Sequence, residues 1–214
     1  MTAERIARAE RSLRGLALGD AFGDRFFLPG DEAEQAVAGR RVPEPPWEWT
    51  DDTAMAASVF AVLSAHGRIV QDELARDLAD RYDPSRGYGP SMHRLLRAVA
   101  AGEPWEEAAR SQFGGEGSHG NGAAMSAQDT VPFALWCAAG HLDDEVEALW
   151  TAVAGGGDRD TTCAIAGGVV AARTGGAGVP PAWRRACEPL PEWAFAAGGD
   201  GVRGWAGPGP SGRR

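Results

Sequence analysis

The apolar residues of this chain recur at helical spacing along most of its length. Between Ala3 and Gly23 they fall on one face of a helix, and after Thr50 they surround most of the next one. No segment alternates apolar and polar residues convincingly, as a half-buried strand would. Pro104 indicates the start of a short helix, and the same spacing predicts helices over 70–82, 91–101, 131–140, 143–153 and 161–173. The predicted fold class is all-α.

The length and net charge of the chain limit the number of domains and the kinds of partner that we expect. The 214 residues suffice for one well-buried core and are few for two domains. We therefore expect a single domain over 1–195, followed by a disordered tail over 196–214 that is rich in Gly and Pro. The stretch 24–49 is predicted to be irregular. A net charge of −9 argues against a broad surface for nucleic acid, so no nucleic-acid partner is expected.

The cysteines and the lengths of the apolar runs indicate the cellular compartment. Cys137, Cys163 and Cys187 are isolated and lack metal-binding spacing, which favours reduced, buried thiols over disulfides or zinc. The N-terminal residues lack the apolar core of a signal peptide, and no apolar run has the length of a membrane span. The expectation is a cytoplasmic protein with no membrane partner.

Two short acidic clusters carry the chemistry, one over 50–53 (Thr-Asp-Asp-Thr) and one over 158–161 (Asp-Arg-Asp-Thr). Each precedes an apolar, helical run, so each is also a candidate helix cap, and one cluster alone is more typical of a cap. If the two clusters meet in the fold, their carboxylates repel each other unless cations neutralise them. Oxygen-only ligands favour Mg²⁺ or Mn²⁺, so the pair predicts a metal site.

A glycine-rich loop over 114–122 lies between the clusters. Its backbone N–H groups suit phosphate or ribose oxygens, but it matches neither a P-loop nor a dinucleotide-binding motif. A flexible turn is the more common identity of such a loop. Its one histidine, His119, is either a stacking or phosphate-binding group or an exposed loop residue. Trp47 and Trp49 flank the first cluster, either as pocket walls or as core residues.

Four sequence blocks, over 14–23, 49–53, 120–125 and 157–161, now permit a comparison. They follow one another as in the ADP-ribosylglycohydrolase family, of the dinitrogen-reductase-activating glycohydrolase type, which the chain resembles. The resemblance implies an orthogonal helical bundle with a binuclear Mg²⁺ or Mn²⁺ centre. The metal ligands it implies are Thr50, Asp51, Asp52, Asp158, Asp160 and Thr161.

The resemblance also implies a reaction. It is hydrolysis at the anomeric carbon of a ribose, which releases ADP-ribose from a protein side chain or a small ADP-ribosyl compound. Asp52 and Asp158 are the acids predicted to take part in catalysis. The substrate-binding residues that it implies lie in the glycine-rich loop and are Gly115, Gly117, Ser118, His119, Gly120 and Asn121.

The chain departs from the family pattern at three places. Phe27 stands near the position where many members carry a Glu, for which Glu32 or Glu34 is a candidate substitute. Arg159 replaces a Thr between two aspartates, and either reaches a phosphate or points to solvent. A long helical segment that family members carry after Met125 is absent, so the bundle is predicted to be truncated internally.

Two other functions remain open at this stage. The chain is either a non-catalytic relative that binds metal and ADP-ribose or another nucleotide, or a structural helical protein. In the structural case the shortened bundle is completed by association into a homo-oligomer, because a missing segment exposes apolar helix faces.

Overall fold

The computed structural model describes residues 2–112 and 124–196, with the backbone alone over 124–129. Within these ranges the chain forms ten α-helices, which confirms the predicted all-α class. They are α1 (Ala3–Asp24), α2 (Glu32–Ala38), α3 (Asp51–His66), α4 (Gln71–Asp80), α5 (Pro90–Ala100), α6 (Trp105–Arg110), α7 (Ala124–Gly140), α8 (Glu145–Ala154), α9 (Arg159–Thr174) and α10 (Pro181–Ala186).

Short 3₁₀ helices complete the described part of the chain at Pro84–Arg86 and Glu192–Phe195. The β-type pairing found there is one isolated bridge between Trp47 and Cys187. The expectation of an irregular stretch over 24–49 is wrong in part, because α2 lies within it. Alanines at 33 and 36 bury one side of this seven-residue helix, and so short an apolar pattern gives little periodic signal.

The core is built around aromatic rings. Phe22 on α1 stacks on Trp183 of α10 at 4.8 Å between ring centroids, and edge-on contacts join it to Trp47 and Trp150. Trp47 and Trp49 are both buried, so core packing describes both tryptophans that flank the first acidic cluster. Aromatic pairs in such geometry add to the free energy of burial. This cluster holds α1, α8 and α10 around the segment that leads into α3.

Glycines bring α1 and α9 into backbone contact. A Cβ built on Gly19 would lie 2.1 Å from the carbonyl oxygen of Cys163, and one on Gly23 would lie 2.3 Å from that of Arg159. Side chains larger than hydrogen are excluded at both positions. Asp20 follows Gly19, and Asp160 follows Arg159, so the close approach places two carboxylates on neighbouring turns of touching helices.

The three cysteines are buried and form no disulfide, as their spacing predicted. The described helices include none with the length and apolar character needed to cross a lipid bilayer.

Candidate metal centre

Asp20 connects α1 to the start of α3. The residue is fully buried, and its carboxylate accepts hydrogen bonds from the backbone N–H of Thr50 at 2.9 Å and of Thr53 at 3.1 Å. The hydroxyls of the same two threonines donate to it at 2.8 and 2.5 Å. An anion at a helix N-terminus is favourable for both the free N–H groups and the helix dipole. Asp20 therefore fixes the first acidic cluster in place.

The two acidic clusters meet at the N-termini of α3 and α9. The Thr161 hydroxyl donates to the Asp52 carboxylate at 2.8 Å, across 109 positions of the sequence. One carboxylate oxygen each from Asp20, Asp52 and Asp160 lie within 4.8 Å of one another. Three helices thus contribute one acid each to a single cluster.

Burial and mutual repulsion disfavour the charged forms of these acids. Burial is the main cause that raises the pKa of Asp52 to about 8, and the neighbouring carboxylates of Asp20, Asp160 and Asp51 raise it further. Burial likewise raises the pKa of Asp20 to about 6, although hydrogen bonds from Thr53 and Thr50 oppose it. A bound cation would supply the missing positive charge.

Asp158 shows an unsatisfied acceptor next to this cluster. Its Oδ2 atom is buried and has no hydrogen-bond partner, although buried polar atoms are normally paired. Burial first, and then a hydrogen bond and repulsion from Asp160, raise the pKa of Asp158 to about 7. Hard oxygen donors with one acceptor left over fit Mg²⁺ or Mn²⁺, and the residues present therefore fit the implied ions.

The acids differ in how much acceptor capacity remains. Asp20 accepts four hydrogen bonds, three at Oδ2 and one at Oδ1, of the roughly four that a carboxylate can accept, two at each oxygen. The Thr161 hydroxyl donates to Asp52, and the backbone N–H of Thr161 donates to Asp160. Asp20 thus uses most of its acceptor capacity to position α3, whereas Asp52 and Asp160 retain more lone pairs for a cation.

The structure places the remaining predicted ligands around the same point. Asp51 is half-buried, and burial and the charge of Asp160 raise its pKa. Thr50 is the N-cap of α3: its hydroxyl accepts from the backbone N–H of Asp52 at 3.3 Å while donating to Asp20. The cap hypothesis thus holds for Thr50. Asp158 precedes α9 without a side-chain capping bond. Their roles as ligands stay predictions.

The predicted substrate-binding residues lie outside the described residues. All of them, from Gly115 to Asn121, fall in the undescribed range 113–123. Their role stays a prediction.

Arg159 does not point to solvent. Its guanidinium donates to the backbone oxygens of Val153 at 3.2 Å and Phe26 at 3.5 Å, and pairs with Glu34 at 2.9 Å. The side chain is 13% exposed, and its contacts tie the start of α9 to the end of α8, to the residues after α1 and to α2. Phe27 is 53% exposed, and Glu34, one candidate substitute for the missing Glu, is engaged by Arg159.

Sequence reasoning missed Asp20 as a site residue. It stands alone in an apolar, glycine-rich helix, without the hydroxyl neighbours that mark the other two clusters. One signal was available. A single carboxylate on the apolar face of a helix costs free energy when buried unless partners satisfy it, so it indicates an internal partner.

Fold and site together define the class: an all-α protein with an acidic cluster, a candidate divalent-cation centre, where three helices converge. The family model for ADP-ribosylglycohydrolase matches the chain over residues 1–128 and 126–204. The chain belongs to the ADP-ribosylglycohydrolase family. The two matched segments join at 126–128, where the sequence predicts the loss of a helical segment.

Known relatives match over part of their length. The ADP-ribosylhydrolase ARH3 of Gallus gallus is 34% identical over 141 residues, which cover 56% of this chain and 38% of the relative. The ARH3 of Homo sapiens is 32% identical over 140 residues, covering 58% of this chain and 38% of the relative. The ADP-ribosylarginine hydrolase Tri1 of Serratia proteamaculans is 39% identical over 69 residues, which cover 31% of this chain and 19% of the relative. The matched part thus spans well under half of these relatives.

Proposed function

We propose that the protein is a divalent-metal-dependent hydrolase that removes ADP-ribose from a protein side chain or a small ADP-ribosyl compound. The bond cleaved is the one at the anomeric carbon of the ribose. One observation carries the proposal: carboxylates from α1, α3 and α9 converge within 4.8 Å in a member of this family. The ADP-ribosylhydrolase names of the relatives support the substrate class.

The proposed ligands of two Mg²⁺ or Mn²⁺ ions are the oxygen donors of both clusters: Thr50, Asp51, Asp52, Asp158, Asp160 and Thr161. Such ions, when bound, polarise water or a substrate oxygen as Lewis acids. Asp20 holds the N-terminus of α3 in place, and Arg159 holds that of α9. The ligand oxygens are therefore preorganised before a cation binds.

The proposed catalytic acids are Asp52 and Asp158. Burial and neighbouring carboxylates raise their pKa values to about 8 and about 7 without a cation, and a bound cation would lower both, so each is a carboxyl group whose proton affinity depends on the charge beside it. Groups of this kind suit proton transfer between water and a leaving group. The loop residues Gly115, Gly117, Ser118, His119, Gly120 and Asn121 are proposed to bind the phosphates and ribose of the substrate.

Turnover assays test the proposal. The protein is incubated with ADP-ribosyl-arginine, ADP-ribosyl-serine or ADP-ribose-1″-phosphate, with Mn²⁺, Mg²⁺ or chelator, and free ADP-ribose is measured. We expect release from at least one substrate only with metal, and a loss on the order of 10²–10⁴ in Asp52→Asn and Asp158→Asn. Asp31→Asn is the matched control, because Asp31 is exposed, precedes α2 and makes no side-chain capping hydrogen bond. Equal turnover in the site variants and Asp31→Asn contradicts the proposed roles.

A second candidate is a non-catalytic relative that binds metal and ADP-ribose. The short match to the relatives favours it, as does Phe27 near the position of the family Glu. Calorimetry with ADP-ribose, with and without Mn²⁺, distinguishes the two when combined with the turnover assays. Metal-dependent binding with all three substrates intact supports this second candidate and contradicts the first.

Association is the third element of the proposal. The outer face of α7 carries exposed Leu135 and Trp136, at 47% and 66% exposure, directly after the predicted internal truncation. Large exposed apolar side chains favour association, so a homo-oligomer is the expected partner state. A clean monomer by light scattering contradicts it. The cytoplasmic location and the absence of nucleic-acid and membrane partners stay predictions.

A further inference from the structure

A cavity of about 350 Å³ opens between α1, α9 and α10, away from the carboxylate cluster. It is lined on α1 by Arg11 to Leu18, which precede Asp20, and by Ala171 near the C-terminal end of α9. Its volume lies in the lower range of small-molecule pockets. The proposed reaction uses none of these residues.

Glu145 forms one wall of this cavity. It is the first residue of α8 and is 2% exposed, and its Oε2 atom is buried without a hydrogen-bond partner. A buried carboxylate oxygen with no donor is uncommon and costs free energy. The oxygen lies 3.8 Å from the position that a Cβ on Gly176 would occupy, and Gly176 also lines the cavity. An acceptor is therefore available to a donor within the cavity.

Arginines surround the same space. A guanidinium nitrogen of Arg184 lies 3.8 Å from that same point at Gly176 and donates to the Gly176 carbonyl. Arg11 and Arg185 also line the cavity, and no ion pair is found for either within the described parts of the chain. Arg14 pairs with Glu10 at 2.8 Å. The cavity thus offers cationic groups for an anion beside one carboxylate oxygen that has no hydrogen-bond partner.

The rest of the lining is apolar. Leu18, Ala171 and Val179 are buried and contribute hydrocarbon surface between the charged groups. A simple inorganic anion would leave this surface and Glu145 unused. The lining instead matches a molecule with three parts: an anionic group, an N–H donor and an apolar body.

We propose that this cavity binds a small zwitterion with an apolar body, of which an apolar α-amino acid is the simplest form. The ammonium group donates to Glu145, the carboxylate pairs with Arg184, and the side chain packs on Leu18 and Val179. Charge-assisted hydrogen bonds of this kind are stronger than neutral ones. Binding at this site needs no divalent metal, which separates it from the hydrolase centre.

Calorimetry and thermal shift in chelator test the assignment, with L-leucine as the probe. Two analogues remove one group each: 4-methylpentanoate lacks the ammonium, and 3-methylbutylamine lacks the carboxylate. We expect leucine to bind and to raise Tm, and each analogue to bind at least about tenfold more weakly. Glu145→Gln and Arg184→Gln should weaken leucine to a similar extent. Glu147→Gln, two residues along α8 and outside the cavity, should bind leucine as the wild type does.

Several outcomes overturn the proposal. They are no leucine binding by the wild-type protein, equal binding of leucine and both analogues, and undiminished binding in Glu145→Gln and Arg184→Gln. Binding of inorganic phosphate that is unaffected by Glu145→Gln would show a plain anion site and also contradict it. Because the readout is binding in chelator, its failure leaves the hydrolase proposal untouched, and a failed turnover assay leaves this one untouched.

Discussion

At the scale of single residues, Asp20 links the stability of the fold to the geometry of the site. Its carboxylate receives two backbone N–H groups and two hydroxyls from Thr50 and Thr53. These bonds hold the N-terminus of α3 against α1. The orientation of Asp51 and Asp52 therefore depends on a buried residue that accepts four hydrogen bonds from the start of α3.

We predict that Asp20→Asn destabilises the protein by about 2–3 kcal/mol, because an amide NH₂ faces donors that need an acceptor. Urea unfolding followed by circular dichroism measures the change. Asp24→Asn is the control one turn further along α1, where burial and Asp160 already raise the pKa of the carboxyl. It should change the free energy of unfolding by less than about 0.5 kcal/mol. Equal effects of both variants would refute the positioning role.

Glu145 gives a pH prediction away from the carboxylate cluster. Burial raises its pKa to about 7, against the lowering effects of Arg184 and Thr174. The folded protein therefore keeps a proton that the unfolded chain releases near the ordinary value of 4.5. This contribution to stability is present at low pH and is lost as pH rises from 4.5 through about 7.

Glu145→Gln should consequently gain stability relative to the wild type as pH rises through that window. Chemical unfolding at several pH values measures the difference. Glu147→Gln is the matched control, because Arg40 lowers the pKa of the Glu147 carboxyl instead. A constant difference between Glu145→Gln and the wild type from low to neutral pH would contradict the burial assigned to Glu145.

Some residues of the candidate site could be predicted from the sequence, and others could not. The two Asp–Thr clusters were visible because four polar residues stand together before an apolar run. Asp20 was not, since one acid within an apolar helix carries no local pattern. The environment of Arg159 also depends on the ends of α1 and α2, and contacts over 125 and 133 positions leave no trace in local spacing.

At the scale of elements, the α1–α9 contact determines where the site forms. Gly19 and Gly23 face backbone atoms of α9 at distances that exclude a methyl group. The acids next to them are brought together by this contact. The carboxylate cluster can therefore form only when α1 packs against α9.

Gly19→Ala should lower the free energy of unfolding by about 3 kcal/mol, since its Cβ would meet a backbone oxygen at 2.1 Å. Thermal unfolding measures the loss. Gly168→Ala, also in the α1–α9 interface, is the control: its nearest neighbour would be the Ser12 carbonyl at 3.3 Å. Higher helix propensity of Ala offsets that contact, so a change below about 1 kcal/mol is expected. A mild effect of Gly19→Ala would contradict the close approach.

Long elements followed from periodicity, and short ones did not. The long helices α1 and α3 begin at Ala3 and after Thr50, as predicted, whereas the six-residue α6 was predicted from Pro104 and not from periodicity. By contrast, α2 and α10 span seven and six residues, too few for a helical repeat to stand out. The close approach of α1 and α9 is also hidden, because glycines four apart are compatible with many helix partners.

At the scale of the whole molecule, we propose that this shortened member of the ADP-ribosylglycohydrolase family retains a divalent-metal centre between α3 and α9. The two acidic clusters that would hold it are separated by more than 100 positions of the sequence, and the hydrogen bond from Thr161 to Asp52 joins them in the structure. The metal centre can be retained even if turnover is lost, because the two segments that match the family model meet at 126–128, outside both acidic clusters.

Titration calorimetry of Mn²⁺ into the chelator-stripped protein tests this claim most directly. The wild type should bind Mn²⁺, Asp160→Asn should lose most of the affinity, and Asp31→Asn should keep it, because Asp160 lies in the cluster and Asp31 lies outside it. The loss in Asp160→Asn should persist when circular dichroism shows the variant folded. No Mn²⁺ binding by the wild type, or equal binding by Asp160→Asn, would contradict the account.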